Sequence, residues 1–407
     1  MSIEFGSVAI VVKPKKIMKR AFASVLRGYT FDAQFPRIYN KAAQQPVNPK
    51  KILFVEIKTK EMPDSFVQMW DYLSRQGDYE LEYFSLEQLG TTYWAYYKRC
   101  KLLMEKMATA RCIFLCDSSD VVSCPTIRPE TFVCQLWHAC GAFKKWGMST
   151  ADLLFGASAK RQTRHPFYRN LDLVTVSSPE VEWAYREAMA LQDSPEVVQA
   201  TGVSRTDIFF NQDYIEGAQA WIHDLVPASQ DKKVILYAPT FRGAPSEAVA
   251  PDQLDLVAMA QALDSEYVLL IKHHPFIKKA PPIPDEAAYF AYAVNDAPID
   301  KLLTVSDICI TDYSSVVFEF SLFERPQIFF AYDMDDYLDW RGFYYPYDEF
   351  VPGPIVKKAE EIIDYIQHVD ERFDQEAMRA FKQKFMSACD GHATERIAEI
   401  ALSHPVM

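Results

Sequence analysis

Apolar and polar residues alternate in blocks along this chain, and the blocks keep one order. From residue 50 onward an apolar run of strand length is followed by a stretch whose apolar positions recur at helical spacing, and then by another run. KILFVEI (Lys51–Ile57) reads as a buried strand and DSFVQMWDYLSRQ as the helix behind it; YELEYFSL, the helical stretch around YWAYYKRCKLLMEKMATA, CIFLC and TFVCQLW continue the series. LDLVTVSSPEVEWAYREAMAL turns from strand to helix, with Ser177 and Glu180 at capping-box spacing and Pro179 among the first helical positions. EVVQATG closes the first half. After a polar connection, DLVPASQDKK (Asp224–Lys233), the series restarts with KVILYAPTFRG, a helical stretch near Gln253–Leu263, YVLLIKHHP, ICITDYSS and PQIFFAYD. The helix KKAEEIIDYIQHV and a further terminal helix complete it. Strands that alternate with helices build parallel sheets. The pattern therefore predicts an α/β protein of two Rossmann-like domains facing a central cleft. The expected division is a basic N-terminal segment over 1–50, a first domain over 51–228 and a second over 229–407.

Composition narrows this picture. A chain of 407 residues is too long for one ordinary core, which agrees with two domains. No apolar run approaches the roughly 20 residues of a spanning helix, and the N-terminus lacks a signal-peptide pattern. Eight cysteines without a short-spaced metal set fit a reducing cytoplasm. The formal charge of −12 argues against a general nucleic-acid binder. Yet residues 1–51 hold ten Lys/Arg against only Glu4 and Asp32. There Lys15, Lys16, Lys19 and Arg20 interleave with Ile17, Ala21, Phe22, Val25 and Leu26, the pattern of an interfacial membrane helix or of a solvated helix packed on the core.

Candidate chemistry collects at the strand ends. In open parallel sheets, ligands sit beyond the carboxyl ends of the strands. Pro239, Thr240, Phe241 and Arg242 follow ILYA; Lys272, His273, His274 and Pro275 follow YVLLI; Thr311, Asp312, Tyr313, Ser314 and Ser315 follow ICI. In the first half, His138 follows CQLW and precedes a loop with Gly141, Lys144, Lys145 and Gly147. Serines that open a helix suit an anion, although ordinary capping uses the same residues. A donor-rich Lys/His turn beside them favours a pyrophosphate. His138, facing the cleft from the other domain, suits a general base for an acceptor hydroxyl. DMDD (Asp333–Asp336) contains a D-x-D that could serve a metal-dependent sugar-nucleotide site, but no metal ligands are assigned. Neither a Walker A loop, a G-x-G-x-x-G nor a G-x-S-x-G elbow occurs.

Seven stretches carry a resemblance: QLWHACGAFKKWG, VSSPEV, ATGVSRTDIFF, VILYAPTFRG, LLIKHHPF, ITDYSSVVFEFSLFERPQIFFAYD and RGFYYPYDEFVPGPIV. Together they resemble the CDP-glycerol glycerophosphotransferase family, whose members prime or polymerise the polyol-phosphate chains of wall teichoic acids and some capsules in bacterial cell walls. The resemblance implies a GT-B-like pair of Rossmann domains with the nucleotide in the C-terminal one. It implies that His138 deprotonates the acceptor and that His274 contacts the pyrophosphate and supports departing CMP. Ser314 and Ser315 would hold donor phosphate beside Lys272, with Thr240, Thr311 and Asp312 in the nucleotide site and Arg242 and Arg341 as further donor-side contacts. Two positions depart from the family's usual pattern: Ala139 and Cys140 precede Gly141, and Gly243 stands where many members carry an acidic residue.

The expected function is therefore transfer of glycerol phosphate or ribitol phosphate from CDP-glycerol or CDP-ribitol to a hydroxyl of a lipid-linked saccharide or growing polyol-phosphate chain, releasing CMP. The site of action would be the inner face of the cell membrane, as a peripheral protein. A divalent-cation requirement stays open. The competing readings are a GT-B glycosyltransferase acting on a nucleotide sugar and a non-catalytic membrane-surface binding protein.

Overall fold

The structure, a computed structural model, describes residues 27–153, 158–243, 247–334 and 342–406. Two six-stranded sheets form it. The first joins β1 (Asn48–Glu56), β2 (Glu80–Ser85), β3 (Ala110–Leu115), β4 (Phe132–Gln135), β5 (Leu173–Thr175) and β6 (Val198–Gln199) in the order β2-β1-β3-β4-β5-β6. The second joins β7 (Lys233–Tyr237), β8 (Tyr267–Ile271), β9 (Ala291–Ala293), β10 (Ile308–Thr311), β11 (Gln327–Phe330) and β12 (Ile355–Val356) in the order β12-β11-β10-β7-β8-β9. Every pairing is parallel. The central strands are buried on both faces, as LFV in β1, VILY in β7 and YVLLI in β8 require of near-continuous apolar runs.

Strand order matters for the chemistry because it fixes where each sheet reverses direction. The first sheet switches between β1 and β3, the second between β7 and β10. At a switch point, loops leave neighbouring strands in opposite directions and open a crevice that ligands use.

Two features differ from the sequence pattern. β9 and β12 are edge strands of three and two residues, too short to leave a period. Ser177 and Glu180 do not form a capping box: a 3-10 turn (Pro179–Val181) precedes the helix Glu182–Met189, and Ser177 bonds elsewhere. Part of the basic segment lies within the described residues. From Arg27 it is helical, and Phe31, Phe35 and Tyr39 are buried in the first domain's core. The stretch carrying the membrane-helix pattern is mostly outside the described residues.

The domains are tied together in two places. The helix Ala393–Ser403, at the C-terminal end, crosses back and buries Ala393, Ile397, Ala398 and Ala401 against the first sheet. Asp207 of the first domain caps it, accepting the N–H groups of Ala393 at 3.1 Å and Thr394 at 2.7 Å. At the cleft itself, the loop after β4 pairs with the segment after residue 341: Lys145 N–H donates to Gly342 O (3.1 Å) and Tyr344 N–H to Phe143 O (3.0 Å). Phe143 projects from this joint among Phe318, Phe343, Tyr347 and Phe350. Burying such a ring contributes about 1.5–3 kcal/mol. Gly141 holds the same loop close to the second domain. Its φ is +62°, and a Cβ there would lie 2.2 Å from the Phe318 ring.

Candidate active site

His138 lies three residues beyond β4, held by a backbone carbonyl and a neighbouring ring. Its Nδ1 is 2.8 Å from the Cys116 carbonyl. A carbonyl only accepts, so Nδ1 carries the proton and Nε2 keeps its lone pair. The ring rests on Trp137 with centroids 4.5 Å apart, and Trp137 in turn stacks on Trp146 at 4.6 Å. Trp137 adopts φ +60°, a costly conformation for a bulky residue, and its N–H donates to Gln135 Oε1 at 3.2 Å. The following loop is pinned by Gly141 N–H to Ser177 Oγ (2.9 Å), while Ser177 donates to Phe385 O (2.7 Å). With His138 itself solvent-exposed, the result is a fixed imidazole whose acceptor nitrogen is free of the scaffold bond.

His274 has the opposite tautomer. The Phe276 N–H lies 3.1 Å from its Nδ1, so Nδ1 accepts and Nε2 carries the hydrogen. Burial, then the nearby charges of Lys144 and Lys272, hold its pKa below the usual histidine value, so the ring is neutral near pH 7. Lys144 belongs to the first domain's loop, which places a cation of one domain within electrostatic reach of a histidine of the other. Phe241 and Phe276 flank the ring at 4.7 and 4.6 Å. His273 turns away: buried, it meets Asn295 Oδ1 through its backbone N–H (2.8 Å) and Nδ1 (3.2 Å).

Both histidines make stability depend on pH with a definite sign. Burial depresses His273 as well. Below about pH 6.5 the unfolded chain binds protons that the folded chain refuses, so stability is full above that value and falls as pH drops toward the depressed folded values. Thermal melting at pH 6.0 is expected at a lower temperature than at pH 7.5, and His274→Gln narrows the difference. A gap unchanged in that variant contradicts the assignment.

The remaining predicted residues separate into two groups. Lys272 is half-buried, and burial lowers its pKa; its Nζ donates to Asn295 O at 2.6 Å. Ser314 and Ser315 are half-exposed at the turn before the helix Val316–Ser321, and Ser315 makes no side-chain cap bond. That helix has only six residues, so the serine hydroxyls and turn amides, rather than a long helix dipole, are what the position offers an anion.

The others bond within the protein. Thr311 is fully buried, and its hydroxyl donates to Ala238 O (2.8 Å). Asp312 accepts from Thr240 N–H (2.9 Å), Thr240 Oγ1 (3.0 Å), Tyr313 N–H (2.6 Å) and Arg242 Nη1 (2.9 Å), so its oxygens are occupied. Arg242 also grips Asp333 with Nε at 2.5 Å and Nη2 at 2.9 Å. Thr240, Arg242 and Asp312 bolt together the two loops flanking the second sheet's switch point, and Asp333 ties in the loop after β11. Asp333, first residue of the D-x-D, is engaged by that arginine; Asp335, Asp336 and Arg341 lie outside the described residues.

At the first sheet's switch point, Glu56 at the end of β1 is buried and accepts from Lys58 N–H (2.8 Å), Thr59 N–H (3.2 Å) and the Cys116 thiol (3.2 Å). A Lys58–Asp117 ion pair spans the crevice beside it. Sequence reasoning missed this cluster and Arg205, treated below, because their partners are remote in sequence.

The family described as CDP-Glycerol:Poly(glycerophosphate) glycerophosphotransferase matches residues 38–403. The chain is 35% identical to the teichoic acid poly(ribitol-phosphate) polymerase of Bacillus spizizenii, over 87% of this chain but only 56% of that protein's length. It is 32% identical to the teichoic acid ribitol-phosphate primase of the same organism, over 89% of this chain and 93% of the relative. Among solved structures, the wall teichoic acid polymerase TagF superposes with a TM-score of 0.75 at 22% identity, covering 95% of this chain and 96% of that one, which shows a shared GT-B-like fold.

Proposed function

The chain belongs to the CDP-glycerol:poly(glycerophosphate) glycerophosphotransferase family, and we propose on that premise that its cleft moves a polyol phosphate from a CDP-polyol to an acceptor hydroxyl. His138 Nε2 takes the hydroxyl proton as the oxygen attacks the β-phosphorus. The bond from that phosphorus to the bridging oxygen breaks, and CMP leaves with the charge. His274 donates its Nε2–H to a phosphate oxygen, and Lys272, Ser314 and Ser315 support the same charge. Catalysis is then positioning and electrostatics, as phosphoryl transfer requires. The observation that carries the reading is the pair of opposed tautomers: an imidazole whose Nδ1–H is held by Cys116 O, leaving Nε2 as an acceptor, on one domain and a neutral N–H donor on the other.

Three ribitol-phosphate relatives match 86–89% of this chain and a fourth, the Staphylococcus aureus polymerase TarL, 70%, while the Staphylococcus aureus teichoic acid glycerol-phosphate transferase and the Bacillus glycerol-phosphate primases match 66–67%. This favours CDP-ribitol as donor. Each CDP-polyol should be offered separately, with unprimed and primed lipid-linked acceptors and with and without a divalent cation. Acceptor-dependent CMP from CDP-ribitol is the expected result; CMP from CDP-glycerol alone would reverse the choice of polyol.

A peripheral position at the membrane fits one exposed patch. Leu89, Tyr93 and Trp94 are 65%, 54% and 67% exposed at the start of the helix Tyr93–Met107, whose next turns bring Lys98, Arg99 and Lys101. Aromatic rings beside basic residues suit the headgroup layer of anionic lipid. Among the described residues no helix is long and apolar enough to cross a membrane. In cosedimentation with vesicles containing anionic lipid, Trp94→Ser should lower the bound fraction about threefold or more. Equal binding by both proteins would remove this patch from the account.

A further inference from the structure

Arg205 follows β6 in the first domain, within the 3-10 turn Ser204–Phe210, yet most of its contacts belong to the cleft and to the other domain. Its Nη1 donates to the backbone carbonyl of His138 at 3.1 Å. Its Nη2 donates to Asp300 Oδ1 at 2.5 Å, and its Nε faces Glu319 Oε1 at 3.5 Å. Asp300 lies in the helix Ile299–Val305 and Glu319 in the helix Val316–Ser321, four residues after Ser315. One guanidinium thus touches the residue read as the base and the helix that follows the serines read as the phosphate site. We propose that Arg205 is a positioning residue that sets the spacing of His138 from the donor-holding turn. This proposal rests on the reading of those two sites given above.

Three physical points support it. The side chains are almost wholly enclosed: Arg205 is 12% exposed, Asp300 9% and Glu319 6%. Buried ion pairs add little net stability over an apolar contact of equal volume, so stability alone does not account for three charges at a domain interface, whereas a fixed register does. Only arginine presents a planar fork of donors able to meet a carbonyl and two carboxylates in different directions; a lysine ammonium on a flexible stem cannot hold that geometry. Among the described residues neither Arg205 Nε nor Glu319 Oε1 has a hydrogen-bond partner. At 3.5 Å they stand about half an ångström outside bonding distance, so a small closure of the cleft completes the clamp.

The test is a double-mutant cycle on kcat for acceptor-dependent CMP release, using Arg205→Lys, His138→Ala and the double variant. Arg205→Lys should lower kcat about tenfold or more with the donor KM changed less than about threefold, and should change the residual rate of His138→Ala less than about twofold. A merely structural residue reduces the folded fraction and lowers both backgrounds by the same factor, which would overturn the proposal, as would a normal kcat in Arg205→Lys. If Arg205→Lys does not fold, Asp300→Asn removes one anchor while Glu319 still balances the arginine, and the same cycle applies. Full activity in His138→Ala would instead defeat the base assignment on which the proposal stands, and the two failures are told apart by that single variant.

Discussion

Replacing His138 with alanine is expected to lower acceptor-dependent CMP release by about 10²–10⁴-fold, the range that a general base contributes. The ring is exposed, and among the described residues its one hydrogen bond is to the Cys116 carbonyl, so the variant leaves Trp137, Gly141 and the loop pairing intact. Folding stability should therefore stay nearly unchanged, and donor affinity with it, because the donor is read as bound by the opposite domain. The measurement is kcat and donor KM by CMP detection, beside a melting curve. A large rise in KM with kcat preserved would move His138 from base to binding residue.

Replacing Arg242 with alanine has the other large effect, and it falls on stability first. Arg242 neutralises two carboxylates, Asp312 (3% exposed) and Asp333, while packing its guanidinium near the Tyr313 and Tyr332 rings. Removing one partner of a buried pair strands the other charge, at a cost of about 3–5 kcal/mol. The loops after β7 and β10 then lose their tie, so CDP-polyol binding should fail in the folded fraction too. Urea unfolding checks the first effect. Adding Asp333→Asn to the variant should restore part of the stability by deleting one stranded charge, but not the donor affinity. If Arg242 were instead a direct phosphate contact, its alanine variant would lose donor affinity while unfolding at nearly the wild-type urea concentration.

These two residues also mark how far the sequence could be read. The alternation of buried strands and helices was legible because parallel strands covered on both faces leave continuous apolar runs such as YVLLI and VILY. The two-domain α/β architecture and the clustering of polar residues at strand ends followed from it. What a linear pattern cannot separate is which of those polar residues face a ligand and which face each other. Thr240, Arg242, Thr311 and Asp312 stand at strand ends where a donor would lie, and the structure joins them to Asp312, Asp333 and Ala238 from neighbouring strand ends. Ser177 looked like a cap and instead ties the His138 loop to Phe385, 208 residues away. The helix Ala393–Ser403 carries an ordinary amphipathic pattern, which does not state that its apolar face serves the first sheet rather than the second.

The central claim is that phosphate travels with the polyol. CDP-ribitol and CDP-glycerol labelled with ³²P at the β-phosphorus, incubated with lipid-linked acceptor, test it in one measurement. The account predicts label in the lipid-linked product and unlabelled CMP in solution, with both lost in His138→Ala. Label retained on a released nucleoside diphosphate, with none in the product, would contradict it and point to transfer of a sugar or polyol without its phosphate.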